Sequence, residues 1–365
     1  MLRPPPRIGL SSIRGGRNVA KDDLRPAQRR MIASALRPPD RPRLSAHEEL
    51  FPFDKSLALP GTSAVPVVYV EILHGTKRGR GECVPDLRIG ETIESVIETV
   101  ERLAPGIETG MITRRTLARE LPPGAARNAL DLALWDFDAK RGGSSAWQIA
   151  ALDEPRRLLT AYRLPLDTPE AMARAAIEEA HRPLLKLMLG AEGDLDRVRA
   201  VRAAVPRARL IVDANEAWNA ELLVRYLPTL AEARVELIEQ PLPGAADEAL
   251  ATISRAVPIC AGASCGTADD LARLSQLYDA VTIKLDKAGG FTEALALIQA
   301  AREAGLRILI GCMAGSSLAV APAVLLAQDA DWVDLDAPLR LARDRQPGLR
   351  FDGSMIYPPG VSLWG

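Results

Sequence analysis

The sequence predicts an α/β chain built around a parallel barrel, with a smaller α+β domain ahead of it. Two observations carry that prediction. From Leu158 onward, eight short apolar runs alternate with amphipathic stretches, which is the pattern of successive βαβ units. Polar residues recur where those runs end, at Lys186, Asp213, Glu239, Gly262, Lys284, Gly311 and Asp334, in steps of 22–27 residues. Each step has the length of one strand with its crossover, and barrel enzymes place their chemistry at C-terminal strand ends.

The 365 residues carry a formal charge of −1, unevenly spread. Residues 1–44 hold ten Arg and one Lys against three Asp, a local balance of +8 that leaves −9 on the rest, and seven prolines fall there too. So few apolar groups cannot offset the entropy of ordering, so 1–44 is expected to be a disordered Arg/Pro-rich extension. Within it "RRMIASAL" hints at a twin-arginine leader, but Arg37, Pro38 and Pro39 cut the apolar run short, and export is not the expectation.

The α+β domain is expected over 45–155. "VPVVYVEI" reads as a strand, "GRGECVPD" as a turn, and "ETIESVIETVERLAP" and "GAARNALDLALWDFDAKRGG" as helices, the second closed by Gly142–Gly143. The barrel is expected over 156–340. Its strands are "LLTAYRL", "LLKLML", "RLIVDA", "VELIEQ", "VPICAG", "AVTIKLD", "RILIGC" and "DWVDLD". Residues 341–365 form a closing segment.

Several function classes drop out. A near-neutral chain without a stacking platform is no nucleic-acid binder. No apolar run is long enough for a membrane span. Four scattered cysteines with no C-x-x-C, and three histidines outside any H-E-x-x-H, give no zinc site and fit a reducing, cytoplasmic setting.

What remains is the rim of the barrel. Asp213 and Glu239 end neighbouring strands, and two close carboxylates need a cation between them or a proton on one. Oxygen ligands of this kind favour Mg²⁺. Lys186 and Lys284 flank the pair, and a lysine in a dry pocket beside a cation loses basicity and can serve as a base. The set suits removal of a proton alpha to a carboxylate. Asp334 and Asp336 share a strand face and suit a cationic group such as an ammonium.

The motifs "LKLMLG", "IVDANEAW", "ELIEQPL", "TIKLDKAGG", "GCMAGSS" and "DLDAP" resemble those of the enolase superfamily, muconate-lactonizing subgroup, and within it the dipeptide epimerases. The resemblance runs from about residue 50 to the C-terminus. It implies a (β/α)7β barrel with an N-terminal α+β capping domain completed by the C-terminal segment. It also implies bound Mg²⁺ and inversion of a Cα in dipeptides such as Ala-Glu by two lysines, one on each face of the substrate. Carried over by position, it makes Asp213 and Glu239 metal ligands. Lys284 becomes the catalytic lysine of the sixth strand, and Lys186 the first lysine of a K-x-K, which assists the second. Asp334 and Asp336 become the clamp for the substrate's α-ammonium.

Five positions depart from the family pattern. Met188 stands where the second lysine of K-x-K belongs. "AGAS" replaces an A-D-E-S motif, so that Gly262 stands for the third metal ligand and Ala263 for its neighbouring carboxylate. Arg163 ends the first strand, where Thr or Ser is usual. Leu59 is nearest to the arginine of an "SRG" in the cap. Loss of a positioned base costs a factor of about 10² to 10⁴, so the resemblance implies an epimerase impaired at Met188 and Gly262. Two alternatives stay open: a divergent homologue that binds a peptide-like ligand without epimerising it, and a barrel lyase using Lys284 alone or a Schiff base. The expected partner is a small dipeptide; whether the chain forms a homo-oligomer is left open.

Overall fold

Residues 41–54, 63–190 and 192–365 are described by the structure, a computed structural model. Nearly all of the expected extension, and Leu59 in the cap, lie outside them. Pro42–Gly365 is one compact unit.

The cap begins with an antiparallel meander, β1 (Arg43–Pro52), β2 (Ala64–His74) and β3 (Lys77–Cys83). Its first strand thus takes in Arg43 and Leu44, which the sequence reading assigned to the extension. The segment read as a turn, "GRGECVPD", is for the most part strand β3. Its glycines signal close packing rather than a change of direction. A Cβ on Gly79 would come 2.3 Å from the Ala133 carbonyl oxygen, and one on Gly81 2.0 Å from that of Ala129.

Two helices cover the meander. Thr92 and Ser95 form a capping box at the start of α1 (Ile93–Glu108). The second, α2 (Ala125–Gly142), ends on Gly143 in the left-handed conformation (φ 74°), as the glycine pair predicted. Val68, Val70 and Ile72 of β2 form a shared core with Val96, Val100 and Leu103 of α1 and with Ala129, Ala133 and Phe137 of α2.

All eight barrel strands appear at the expected runs: β4 (Tyr162–Leu164), β5 (Leu184–Met188), β6 (Arg209–Asp213), β7 (Val235–Glu239), β8 (Ile259–Ala261), β9 (Ala280–Ile283), β10 (Arg307–Gly311) and β11 (Trp332–Asp334). They form a parallel sheet in sequence order, and the Ala161 amide donates to Val333 O at 2.8 Å, linking its first and last members. The run "LLTAYRL" divides in two. Its Leu158–Leu159 half leaves the barrel to pair with Met355–Ile356 of a C-terminal hairpin. Helices α3 (Pro169–Glu178), α4 (Asp194–Ala204), α5 (Ala220–Glu232), α6 (Leu271–Leu277), α7 (Phe291–Glu303) and α8 (Ser317–Leu326) supply six crossovers. The 3₁₀ run Gly244–Thr252 supplies the seventh, between β7 and β8.

Cap and barrel interlock. The Asp286 carboxylate, just past β9, accepts from the Val84 amide and from Asn128 Nδ2, both at 2.9 Å. Arg127 donates to the carbonyls of Ala288 (2.6 Å) and Gly289 (3.1 Å). Gly289 and Gly290 both have positive φ, and a Cβ on either would strike Arg127 or Asp131 of α2. That pair is therefore a seat for the cap helix. The C-terminal segment returns to the cap, where Trp364 Nε1 donates to Leu132 O (3.1 Å) and the Gly365 amide to Asp136 (2.8 Å).

Candidate functional site

The site follows from the alternation of side chains along the strands. Ala161, Leu184, Ile211, Leu237, Cys260, Ala280, Leu309 and Trp332 pack together as one buried apolar layer inside the barrel. Successive side chains face opposite sides of a strand, so the residues two positions on stand one rung higher in the same interior. They are Arg163, Lys186, Asp213, Glu239, Gly262, Thr282, Gly311 and Asp334. One rung higher again stand Met188, Lys284 and Asp336. Strand register places Arg163 beside Lys186, Asp213 beside Glu239, and Gly311 beside Asp334, while between β5 and β6 the register is offset by two residues and brings Met188, from the rung above, beside Asp213.

All the residues singled out from the sequence, apart from Leu59, therefore meet at one end of the barrel. Lys186 is its hub. Fully buried, its Nζ lies 2.5 Å from Glu239 Oε2, 2.8 Å from Asp334 Oδ2 and 3.0 Å from Asp213 Oδ2. An ammonium has three donors, and here each has a carboxylate.

Every oxygen of the Asp213–Glu239 pair has a partner as well. Asp213 Oδ1 accepts from the Asn215 amide (3.0 Å), and Glu239 Oε1 from the Thr282 hydroxyl (2.9 Å). Arg163 closes the far side. Its guanidinium is 3.3 Å from Asp334 Oδ2 and its amide donates to Asp336 Oδ2 at 2.8 Å. The other oxygen of Asp334, Oδ1, is buried without a partner among the described residues.

The electrostatics reflect these contacts. Burial works against the charged form of Lys186, but the carboxylates of Asp213, Asp334 and Glu239 outweigh it, and the ammonium is held well above the usual lysine range. That is the reverse of the direction expected for a lysine beside a metal, because carboxylates surround it on three sides. Burial pushes Asp334 and Glu239 up, yet Lys186 and its fellow cations bring both below the ordinary carboxylate range. Asp213 and Asp336 are raised, first by burial and then by neighbouring carboxylates, Glu239 and Asp334 respectively.

Lys284 differs from Lys186. It is half-buried, and its ammonium makes no hydrogen bond or salt bridge among the described residues. Its stem lies across Gly311, where an added Cβ would sit 3.4 Å from Lys284 Cε. Met188 is also half-buried and brings a thioether to the rung where a second amine would stand.

Three contributors escaped the sequence reading. Thr282 stands one rung below Lys284 and fastens Glu239. Gln240, with φ 38°, accepts from the amides of Gly262 (2.8 Å) and Ser264 (3.0 Å) and so shapes the "AGAS" turn. Lys287 donates to the carbonyls of Gly262 and Ala263, both at 2.7 Å; burial, then the charge of Lys284, lowers it to about 8. Two residues below Lys284, at the same strand parity, the sequence did offer a signal for Thr282. For the other two it offered none.

The donor set does not fit a divalent ion. Lys186 already bridges the two carboxylates, no third ligand exists at Gly262, and a Cβ there would meet Glu239 Oε1 at 2.8 Å. Among the described residues no group of three or more His, Cys, Asp or Glu side chains is arranged to hold a metal. Nor is any described helix long and apolar enough to cross a membrane.

Comparison with known proteins agrees with this architecture. The family "Enolase C-terminal domain-like" matches residues 169–353. The L-Ala-D/L-Glu epimerase of Escherichia coli (strain K12) is 42% identical over 303 residues, 82% of this chain and 94% of that protein. The N-acetyl-D-glutamate racemase of a Pseudoalteromonas species is 39% identical over 288 residues, 79% of this chain and 91% of its own. Among solved structures, an enolase family member from Agrobacterium tumefaciens, with homology to dipeptide epimerases and with bound sodium and L-Ala-L-Glu, superposes with a TM-score of 0.86. It is 46% identical and is matched over 89% of this chain and 100% of its own.

Proposed function

We propose that this chain, which belongs to the enolase superfamily and stands there among the dipeptide epimerases, removes and returns the proton on a Cα next to a carboxylate in a dipeptide of the Ala-Glu kind. The observation that carries this reading is the contrast between the two lysines. Lys186 is locked in place with every donor engaged, so it holds the carboxylates in position and moves no proton. Lys284, one rung higher, keeps its amine without a partner among the described residues.

In this reading the neutral amine of Lys284 takes the Cα proton. The electron pair of the broken C–H bond moves into the adjacent carboxylate as an enediolate, and the new Lys284 ammonium lies against the charge it has produced. Returning the proton from the same side restores the starting stereochemistry. Inversion needs a donor on the opposite face, and Met188 supplies none. Exchange should therefore outrun inversion.

Incubation of L-Ala-L-Glu with the protein in D₂O, followed by ¹H NMR, tests this. Loss of the glutamyl Cα signal with slow or undetectable formation of the diastereomer is expected, and Lys284→Ala should lower exchange by about 10²- to 10⁴-fold. Dipeptide binding with neither exchange nor inversion would favour the binding protein instead. A borohydride-trapped adduct on Lys284 would favour the Schiff-base lyase.

A second reading has its own observation. Arg163 already neutralises the aspartates that would clamp an α-ammonium, and Asp334 Oδ1 lacks a single donor. An N-acyl amino acid carries no ammonium where the clamp would act, and so suits aspartates whose charge Arg163 already balances. The relative that acts on N-acetyl-D-glutamate gives it a precedent. Exchange into N-acetylglutamate but not into L-Ala-L-Glu, reversed by Arg163→Thr, would select this substrate class.

A further inference from the structure

We propose that Lys186 is the resident cation of this site: its ammonium takes the place between Asp213 and Glu239 that a divalent ion would need, and the protein assembles its site without one. The inference goes beyond the proposed reaction and holds whichever substrate is used, because it concerns only what balances the carboxylates.

Three observations support it. The first is donor counting. The four oxygens of Asp213 and Glu239 accept from Asn215, Thr282 and, on the remaining two, Lys186. A metal would have to displace donors that are already placed, in a barrel interior where an unpaired polar group is costly.

The second is steric. Glu239 stands over Gly262, with Oε1 at 2.8 Å and Cγ at 3.0 Å from the position of a Cβ. The space of a third ligand is thus occupied by the second. Thr282 on one oxygen and Lys186 on the other hold Glu239 there.

The third is charge. Four carboxylates, Asp213, Glu239, Asp334 and Asp336, face Lys186, Arg163, Lys284 and Arg340, whose charges reach them. With Lys284 protonated the set is balanced and a divalent ion would leave an excess of two positive charges; with Lys284 neutral, as the proposed reaction needs it, the same ion would turn a charge of −1 into +1. The ammonium is also tied to a third partner, Asp334, which comes from the last strand, two strands from Lys186 on the side opposite to Glu239.

The test reads ion binding rather than turnover, so it can fail or succeed independently of the dipeptide reading. Purified full-length protein, stripped with EDTA and held in sodium-free buffer, is titrated with Mg²⁺ by calorimetry and with Mn²⁺ by loss of the free-ion EPR signal. No saturable binding is expected up to ~1 mM, a range that would fill any site of ordinary micromolar affinity. The melting temperature should move by less than about 1 °C between EDTA and ~10 mM Mg²⁺, where a true site would raise it by several degrees. Lys186→Met, which empties the space between the carboxylates, should gain one Mn²⁺ per chain, and Asp213→Asn added to it should remove that ion again. One Mg²⁺ or Mn²⁺ bound by the wild-type protein with a Kd below ~100 µM, and lost on Asp213→Asn, would overturn the proposal. The wild-type titration decides the matter even if Lys186→Met fails to fold.

Discussion

Glu239 holds its carboxylate directly over the Cα of Gly262, so close that a Cβ on the glycine would lie 2.8 Å from Oε1. The contact is maintained from both sides, by Thr282 Oγ1 at 2.9 Å and Lys186 Nζ at 2.5 Å. Gly262→Ala must therefore move Glu239 off one of its partners. A loss of about 1–3 kcal/mol in urea unfolding is expected, the usual range for overpacking a tight interior. Thr282→Val combined with Gly262→Ala should cost less than the sum of the two single changes, because the first already releases Glu239. Strict additivity would show that the two sites are independent.

Removing the hub should cost more. Lys186→Met strands three buried carboxylates, and removing one partner of a buried ion pair typically costs about 3–5 kcal/mol. The sign with pH is distinctive. Without the ammonium the carboxyls are raised by burial and by one another, above their unfolded values, so they bind protons more readily when folded. The deficit against wild type should shrink as pH falls from 8 to 5. A deficit that stays constant over that range would mean that the carboxylates are not coupled to Lys186.

Gly311 bears on Lys284 by its lack of a side chain. A Cβ there would meet Thr282 Cγ2 at 3.1 Å and Lys284 Cε at 3.4 Å. Gly311→Val should displace the lysine stem and lower Cα exchange by about 10²-fold, the scale of a misplacement near 1 Å. Dipeptide affinity, measured by calorimetry, should change far less. Equal losses in both would mean that the strand end itself has collapsed.

The junction between cap and barrel carries its own pH dependence. Burial pushes Asp286 up to about 7, against the hydrogen bonds of Val84 and Asn128, and pushes Asp131 up to about 6. Both values lie above that of the unfolded chain, so the folded protein takes up protons between pH 7 and 4 while the unfolded chain does not. Stability therefore rises as pH falls through this window, by up to about 1.4 kcal/mol per pH unit for each group. Asp286→Asn keeps the accepting oxygen and should flatten its share of the slope in urea titrations at pH 5 and 7.5. An unchanged slope would assign the effect to Asp131 alone.

Much of this was legible in the chain. The eight apolar runs and the 22–27-residue spacing of Lys186, Asp213, Glu239, Gly262, Lys284, Gly311 and Asp334 are local periodicities, and hydrophobic burial with strand alternation turns them into rungs without further instruction. Gly142–Gly143 marked the end of α2 for a similar reason, because a left-handed cap is a local requirement. Gly79 and Gly81 misled: a glycine needed for close approach of a helix 50 residues away looks the same, in one dimension, as a glycine needed for a turn.

The sequence alone determined which side chains arrive at the rim, since strand period and repeat length are properties of neighbouring residues. Only the tertiary structure decided how they divide the work there. Lys186 and Lys284 are both strand-end lysines in the linear pattern, yet one is saturated by carboxylates from β6, β7 and β11 and the other has no partner among the described residues. That difference depends on which rung each occupies and on distances between strands far apart in the chain. Coulombic partners and burial act through space, and no spacing along the sequence encodes them.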